Sequence, residues 1–426
     1  MWWPHENNLS RKREPSLALE GATPPARIAH RQGGPSVIHL DHLRAETPGV
    51  THRIHLNNAG AALMPNPVIE TTIAHLRREA VIGGYEAANE AAPRVQAIYE
   101  SIARLINATP AEIALTQNAT VSWQMAFYGL PFAPGDRILT ARAEYAANYV
   151  AFLQIAQQKG AVIEVIPDDE NGVLDPAALE RMIDERVKLI AITWVPTNGG
   201  LTNPAAAVGR IARKHGIPYL LDACQAVGQM VVDVEELGCD MLSATGRKFL
   251  RGPRGTGFLY VRRAMLETLH PPMIDHSAAP WTAPDRYTLR PDAKRFETWE
   301  KNYAANLGLG AAVDYALAIG MEEIEARCRA LGASLREQLL TVPGAQVYDL
   351  GPNPAAIVTF SLPGITAEAA KQKLAEEGIN VSASSPSSTL LDATARALPV
   401  LLRASPHYYN SEAELETLVT TCRRLV

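Results

Sequence analysis

Residues 217–228 read IPYLLDACQAVG and residues 243–249 read SATGRKF, and these two motifs decide the fold that the sequence predicts. In the first motif, an apolar run typical of a buried strand ends on Asp222. In the second, Lys248 follows Gly246 and Arg247 in a turn between two more apolar runs. Because the carboxyl ends of parallel strands meet at one edge of a sheet, the acid and the amine are expected to lie close together.

A strand-end acid and a lysine flanked by glycine and arginine form the pattern that a pyridoxal phosphate site requires. The lysine forms an imine with the cofactor, and the aspartate keeps the pyridine nitrogen protonated so that the ring can accept electrons. The two motifs therefore predict pyridoxal 5'-phosphate as the cofactor, with Lys248 and Asp222 as the catalytic residues.

Helices alternate with short apolar strands from about residue 56 to residue 261. This alternation predicts an α/β fold, in which a mostly parallel sheet carries helices on both faces. A strand at residues 54–58 is predicted to open this region. Thr120 and Asn198, like the acid and the amine, follow predicted strands, so four polar side chains are expected at one edge of the sheet.

The length of 426 residues, with 47% hydrophobic residues, favours two domains over one. We predict a flexible N-terminal arm and leading segment at residues 1–50, a large cofactor-binding domain at 51–303, and a connecting helix with a small α+β domain at 304–426. Within the first of these, residues 1–35 mix Pro, Gly, Arg and Ser without periodicity, which is typical of a flexible segment.

Charge and cysteine content exclude several classes of protein. A net charge of −5 gives no indication of a nucleic-acid or anionic-membrane partner. No apolar run approaches the roughly 18 residues of a membrane helix, and no secretory signal is recognised in the first residues. The four cysteines are scattered without CxxC or metal-type spacing, which favours a reduced cytoplasmic protein with no disulfide and no metal site.

The ordered motifs resemble the aminotransferase class V family from about residue 54 to the C-terminus. This family is the fold-type I pyridoxal phosphate group that includes cysteine desulfurases, C–S lyases, aminotransferases and an epimerase. The resemblance implies the fold-type I architecture with a smaller C-terminal α+β domain, a small amino acid as substrate, and a homodimer with the site near the subunit interface.

The resemblance also implies contacts with the cofactor. The predicted cofactor-binding residues are Ala119, Thr120, Tyr145, Asn198, Asp222, Gln225, Thr245, Arg247 and Lys248. Among them, Tyr145 would stack on the ring, and Asn198 and Gln225 would lie near its phenolic oxygen. Thr245 and Arg247 would contact the phosphate together with the loop QNAT at residues 117–120, whose position before a helix suits an anion.

Two residues are predicted to bind the substrate, Arg403 in the motif LRAS and Asn58. The guanidinium of Arg403 offers a rigid bidentate fork for an α-carboxylate, which a lysine could not copy. Lys248 beside Arg247 and a cationic ring is expected to have a lowered pKa, so that its free amine can act as a base.

Three departures from the family pattern bear on the reaction. Desulfurases have a histidine where this chain has Tyr145, and they place a mobile nucleophilic cysteine shortly before the carboxylate-binding arginine. Residues 381–402 contain no cysteine. Glu300 stands where relatives often have a threonine that binds the phosphate of the partner subunit, so that contact is not expected here.

The sequence therefore predicts β-elimination on cysteine, cystine or a cysteine S-conjugate or sulfoxide. Transamination and epimerisation are open alternatives, and a cysteine desulfurase ranks below them. A fold that is retained as a catalytically silent binding module is the non-enzyme alternative, against which the intact Asp222, Gln225 and Lys248 argue.

Overall fold

The computed structural model describes residues 38–426, which open with helix α1 (Leu40–Ala45) and the two-residue strand β1 (Ile54–His55). The predicted flexible segment at residues 1–35 lies outside the described residues. Within the rest of the predicted arm, α1 and a 3₁₀ turn at Pro48–Thr51 form regular structure.

Seven strands form the main sheet. They are β2 (Ile113–Thr116), β3 (Arg137–Thr140), β4 (Val162–Val165), β5 (Val187–Thr193), β6 (Tyr219–Asp222), β7 (Met241–Thr245) and β8 (Gly257–Val261). Their order is β2-β8-β7-β6-β5-β3-β4, and every pair is parallel except the two that β8 makes. The central strands β6, β7 and β8 are buried throughout, as expected for a sheet covered on both faces. The predicted α/β fold class is confirmed.

Two helices lie between β1 and β2, and five more lie between consecutive strands of this sheet. They are α2 (Asn66–Ile82), α3 (Gly84–Ile106), α4 (Ala119–Phe127), α5 (Ala146–Lys159), α6 (Pro176–Met182), α7 (Ala205–His215) and α8 (Val234–Leu237). After β8, the chain forms the short hairpin β9 (Trp281–Ala283) and β10 (Arg286–Tyr287), which the sequence did not indicate.

The C-terminal part begins with the helices α9 (Tyr303–Ile319) and α10 (Met321–Leu339). Four antiparallel strands follow in the sheet order β11-β12-β15-β14. The remaining elements are β11 (Gln346–Val347), β12 (Val358–Ser361), α11 (Ala367–Glu376), β13 (Ile379–Asn380), β14 (Ser382–Ser384), α12 (Leu390–Ala395), β15 (Leu401–Ala404) and α13 (Glu412–Arg424). The division of the chain at residue 303 stays a prediction.

Strand β1 lies elsewhere than the sequence predicts. It pairs in parallel with β13 of the C-terminal part, with Ile54 opposite Ile379, and does not enter the seven-stranded sheet. The C-terminal part is therefore completed by residues from the beginning of the described chain.

Arg251 joins three regions of the chain. Its guanidinium is buried and donates hydrogen bonds to Thr47 Oγ1 (2.7 Å), to the carbonyl of Leu63 (2.8 Å) and to the hydroxyl of Tyr408 (2.7 Å). It also lies 4.4 Å from the centre of the Tyr409 ring, within range of a cation–π contact. The ends of the described chain are thereby fastened to the turn that follows β7.

No single helix of residues 38–426 combines the length and the apolar character needed to cross a bilayer. Only α9 and α10 taken together meet that requirement by length and composition, and they are bent by 83° relative to each other.

Gly228 brings the two sequence motifs into contact. Its φ of 95° is in the region that favours glycine, and a Cβ added there would lie 2.3 Å from the backbone nitrogen of Leu250. The turn after Asp222 can therefore pack directly on the turn that carries Lys248 only because position 228 has no side chain.

Replacing Gly228 by alanine is expected to destabilise the protein by roughly 3 kcal/mol, because the left-handed backbone costs about 1–2 kcal/mol and the forced backbone displacement about 1–3 kcal/mol. Urea denaturation measures the loss. Gly135→Ala is the matched control, since Gly135 has a φ of 86° but no atom within 4 Å of an added Cβ. Equal losses for the two variants would contradict the packing argument.

Candidate active site

Asp222 lies at the carboxyl end of β6, in the middle of the main sheet, and is buried. One carboxylate oxygen accepts a hydrogen bond from the backbone nitrogen of Cys224 (2.9 Å), and the other accepts one from Asn148 Nδ2 (2.9 Å). Two donors therefore fix the carboxylate in one orientation, as a group that must face a ring nitrogen requires.

Lys248 lies in the turn after β7, and the backbone N–H of Arg251 donates to its carbonyl (2.9 Å). Burial lowers the pKa of the Lys248 amine; Cys224 and Asp222 oppose this effect, while the positive charge of Arg247 adds to it. A larger fraction of the amine is therefore neutral, and so able to act as a nucleophile or a base, than for an exposed lysine.

The residues predicted to bind phosphate are found at two places that suit an anion. Ala119 and Thr120 form the first turn of α4, where Asn118 caps the helix by accepting a hydrogen bond from the backbone nitrogen of Val121 (3.0 Å). The N-terminus of this helix offers free N–H groups to a ligand. In addition, Nη1 of Arg247 is buried and has no hydrogen-bond partner among the described residues.

Two side-chain amides that are predicted to lie near the phenolic oxygen each have a buried, unpaired oxygen atom. Oδ1 of Asn198 and Oε1 of Gln225 have no hydrogen-bond partner within residues 38–426. Their nitrogens donate elsewhere, Asn198 to the Ser385 carbonyl (3.0 Å) and Gln225 to Thr197 Oγ1 (3.3 Å). Because a buried polar atom without a partner costs about 1–3 kcal/mol, these atoms fit a site that a polar group such as pyridoxal phosphate completes.

Thr245, the last residue of β7, is buried, and its hydroxyl donates to the carbonyl of Thr256 (3.3 Å). Its predicted phosphate contact stays a prediction.

Tyr145 precedes the first residue of α5 and is 37% exposed, so its ring is accessible to a ligand.

Arg403 lies on β15, in the interior of the four-stranded sheet, and is buried. It donates to Thr197 Oγ1 (2.7 Å) and to Asn57 Oδ1 (3.3 Å), and no carboxylate of the described residues pairs with it. Burial lowers its pKa to about 10, so the guanidinium remains charged at neutral pH. A buried cation without a carboxylate is well suited to bind the carboxylate of a ligand.

Asn58, predicted to bind the substrate, does not face the site. Its side chain is fully buried, donates to the carbonyl of Ser405 (2.7 Å) and accepts from the hydroxyl of Tyr409 (2.5 Å). The neighbouring Asn57 contacts Arg403 instead, and its Oδ1 accepts a hydrogen bond from Nη2 of Arg403 (3.3 Å). We therefore replace Asn58 by Asn57 among the candidate substrate-site residues.

The segment before Arg403 contacts the candidate site residue Asn198. It forms β14, a 3₁₀ turn at Pro386–Thr389 and α12, and Thr389 Oγ1 accepts a hydrogen bond from Asn198 (3.1 Å).

Glu300 is exposed and lies two residues after Thr298, whose Oγ1 accepts a hydrogen bond from Gln117 of the QNAT loop (3.4 Å).

Comparison with known proteins agrees with this geometry. The family model for aminotransferase class V matches residues 54–418. A probable cysteine desulfurase of Xylella fastidiosa is 33% identical over 406 residues, covering 92% of this chain and 97% of the relative. One from Methanothermobacter thermautotrophicus is 28% identical over 395 residues, covering 91% and 98%. The apo structure of a cysteine desulfurase from Thermococcus onnurineus superimposes with a TM-score of 0.84 at 28% identity, covering 91% and 98%.

Replacing Arg403 by lysine is expected to weaken amino-acid binding about tenfold, because the charge remains but the bidentate fork is lost. The measurement is the apparent Kd of an amino acid that perturbs the visible absorption of the bound cofactor. Arg104→Lys, at a largely exposed ion pair with Asp314, is the control and should leave this Kd unchanged. An unaltered Kd in the Arg403 variant would show that the carboxylate binds elsewhere.

Proposed function

The chain belongs to the aminotransferase class V family of pyridoxal phosphate-dependent enzymes, and from this premise we propose that it is a C–S lyase. The proposed substrate is an amino acid of the cysteine type: cysteine, cystine, or a cysteine S-conjugate or sulfoxide. The names of the relatives, cysteine desulfurases, support the cysteine side chain. Arg403 supports an α-carboxylate.

One observation carries the choice of elimination over sulfur transfer. All four cysteines of the chain are unpaired and buried, so no thiol is exposed to accept sulfur from a substrate. The segment before Arg403, where a desulfurase has its mobile cysteine, carries serines and threonine instead. Unpaired thiols also support the predicted cytoplasmic location.

Each site residue has a separate role in the proposed elimination. Bound pyridoxal phosphate supplies an aldehyde that joins the substrate amine and a ring that accepts an electron pair. Arg403 holds the α-carboxylate and so fixes the amino acid in one orientation. Nζ of Lys248, whose pKa is lowered by burial, takes the α-proton. Asp222 holds the proton on the ring nitrogen through its opposite charge.

Elimination balances without an oxidant or a sulfur acceptor. The Cα–H and Cβ–S bonds break, and the sulfur group leaves with the electron pair of its bond to carbon. With cysteine and one water molecule, the products are pyruvate, ammonia and hydrogen sulfide. A desulfurase would instead leave alanine and a protein-bound persulfide, so the three-carbon product separates the two reactions.

The test is to incubate the holoenzyme with L-cysteine, L-cystine and an S-alkyl cysteine and to measure pyruvate, alanine and sulfide together. Pyruvate formed without an added keto acid, in equal amount to the released sulfur compound, is the expected result. Lys248→Ala, which removes the base, should abolish it.

Two other outcomes would overturn the proposal. Alanine with persulfide on the protein indicates desulfuration. Loss of the visible cofactor band that only a keto acid restores indicates transamination.

A homodimer with the site near the subunit interface is part of the proposal. The stretch from the β9–β10 hairpin to Glu300 exposes Trp281, Tyr287 and Trp299, which are 75%, 56% and 52% exposed. A partner subunit would remove this apolar surface from water.

A further inference from the structure

Glu144 is a buried carboxyl group whose hydrogen bonds come only from neutral donors. It is 3% exposed and forms no ion pair with any cation of the described residues. Five groups donate hydrogen bonds to its two oxygens. They are Thr140 Oγ1 (3.2 Å), the Tyr145 backbone N–H (2.9 Å), Asn148 Nδ2 (2.9 Å), the Thr193 backbone N–H (2.9 Å) and Thr193 Oγ1 (2.5 Å).

These donors belong to elements that surround the site. Thr140 and Thr193 end the neighbouring strands β3 and β5, so the carboxyl group lies at the edge of the sheet that also carries Asp222. The Tyr145 N–H fixes the backbone of the residue that is predicted to stack on the ring. A single carboxyl group therefore ties two strand ends to the loop that begins α5.

Asn148 extends this network to Asp222. Its Nδ2 donates to Glu144 Oε1 and to Asp222 Oδ2, both at 2.9 Å. A side-chain amide nitrogen carries two hydrogens, so each carboxyl group receives one of them. Asn148 thereby holds two acidic groups at a fixed separation, although their like charges would otherwise drive them apart.

Charge also connects the two acids. Burial raises the pKa of Glu144 to about 7, hydrogen bonds from Thr193 and Asn148 oppose that rise, and Asp222 adds to it. All five groups donate to the Glu144 oxygens, and a proton on the carboxyl group would occupy one of the lone-pair positions that they use. The hydrogen bonds therefore favour the ionised form, against the effect of burial.

We propose that Glu144 is a positioning residue that acts through Asn148 to fix Asp222 and, through its backbone contact, Tyr145, so that both meet the cofactor ring in one arrangement. This inference rests on the cofactor contacts proposed for Asp222 and Tyr145 but not on which reaction the enzyme catalyses. Its readouts are therefore properties of the bound cofactor.

The experiment compares Asn148→Ala with Asn203→Ala. Asn203 is equally buried and donates its amide to the carbonyl of Thr193 (2.8 Å), but it contacts neither acid. Loss of Asn148 is expected to raise the Kd of pyridoxal phosphate about tenfold, which corresponds to one hydrogen bond to a charged group. The visible circular dichroism of the bound cofactor should fall in the same variant.

Asn203→Ala should leave the cofactor Kd and the circular dichroism within about twofold of the wild type, which is less than the free energy of one hydrogen bond. This holds even if Asn203→Ala lowers the urea midpoint as much as Asn148→Ala does. Equal effects of the two variants on cofactor Kd and circular dichroism would reduce the network to a structural role and overturn the proposal.

Glu144→Gln provides a second, independent variant, because its NH2 group cannot accept the hydrogen bonds that one of the two carboxylate oxygens now accepts. It is expected to reproduce the change in Kd and in circular dichroism. Wild-type cofactor properties in a folded Glu144→Gln protein would likewise overturn the proposal. If pyruvate formation fails while these cofactor effects appear, the proposed reaction falls and the positioning role stands.

Discussion

The buried guanidinium of Arg251 is the constraint on which the arrangement of the site depends. Its N–H groups donate to neutral oxygens, and the rings of Tyr408 and Tyr409 make cation–π contacts with it. The positive charge is therefore stabilised without a carboxylate. The residue also has a φ of 62°, which costs about 1–2 kcal/mol for a side chain other than glycine. Its N–H also closes the turn of Lys248, so the contacts of Arg251 hold the backbone that carries the Lys248 side chain.

The site itself is assembled from two sheets of different kinds. The mostly parallel sheet carries Asp222 and the turn with Lys248, and the antiparallel sheet carries Arg403. The charges of Arg247 and Arg403 both act on Lys248, and Arg247 Nη1 and Arg403 Nε are buried without a hydrogen-bond partner among residues 38–426. Such a concentration of positive charge suits a phosphate and an α-carboxylate, which are the two anions that cofactor and substrate bring.

Sequence patterns predicted the fold class and the positions of Asp222 and Lys248, because strand ends in a parallel sheet must converge. They could not predict the partner of β1, since an apolar run reports burial but not which strand lies beside it. They indicated Asn58 as a substrate residue, but the neighbouring Asn57 contacts Arg403, because the turn after β1 decides which side chain reaches the arginine. Thr197 was missed, although it stands beside Asn198 in the same strand-end loop.

The pairing of β1 with β13 has a consequence for synthesis of the chain. His55 and its partner Asn380 are separated by 325 positions. At the usual elongation rate of roughly 5–20 residues per second, β1 waits about 16–65 s on the ribosome before its partner emerges. During that interval its backbone edge is open to other strands, so a chaperone that shields the nascent N-terminal region would raise the yield of folded protein.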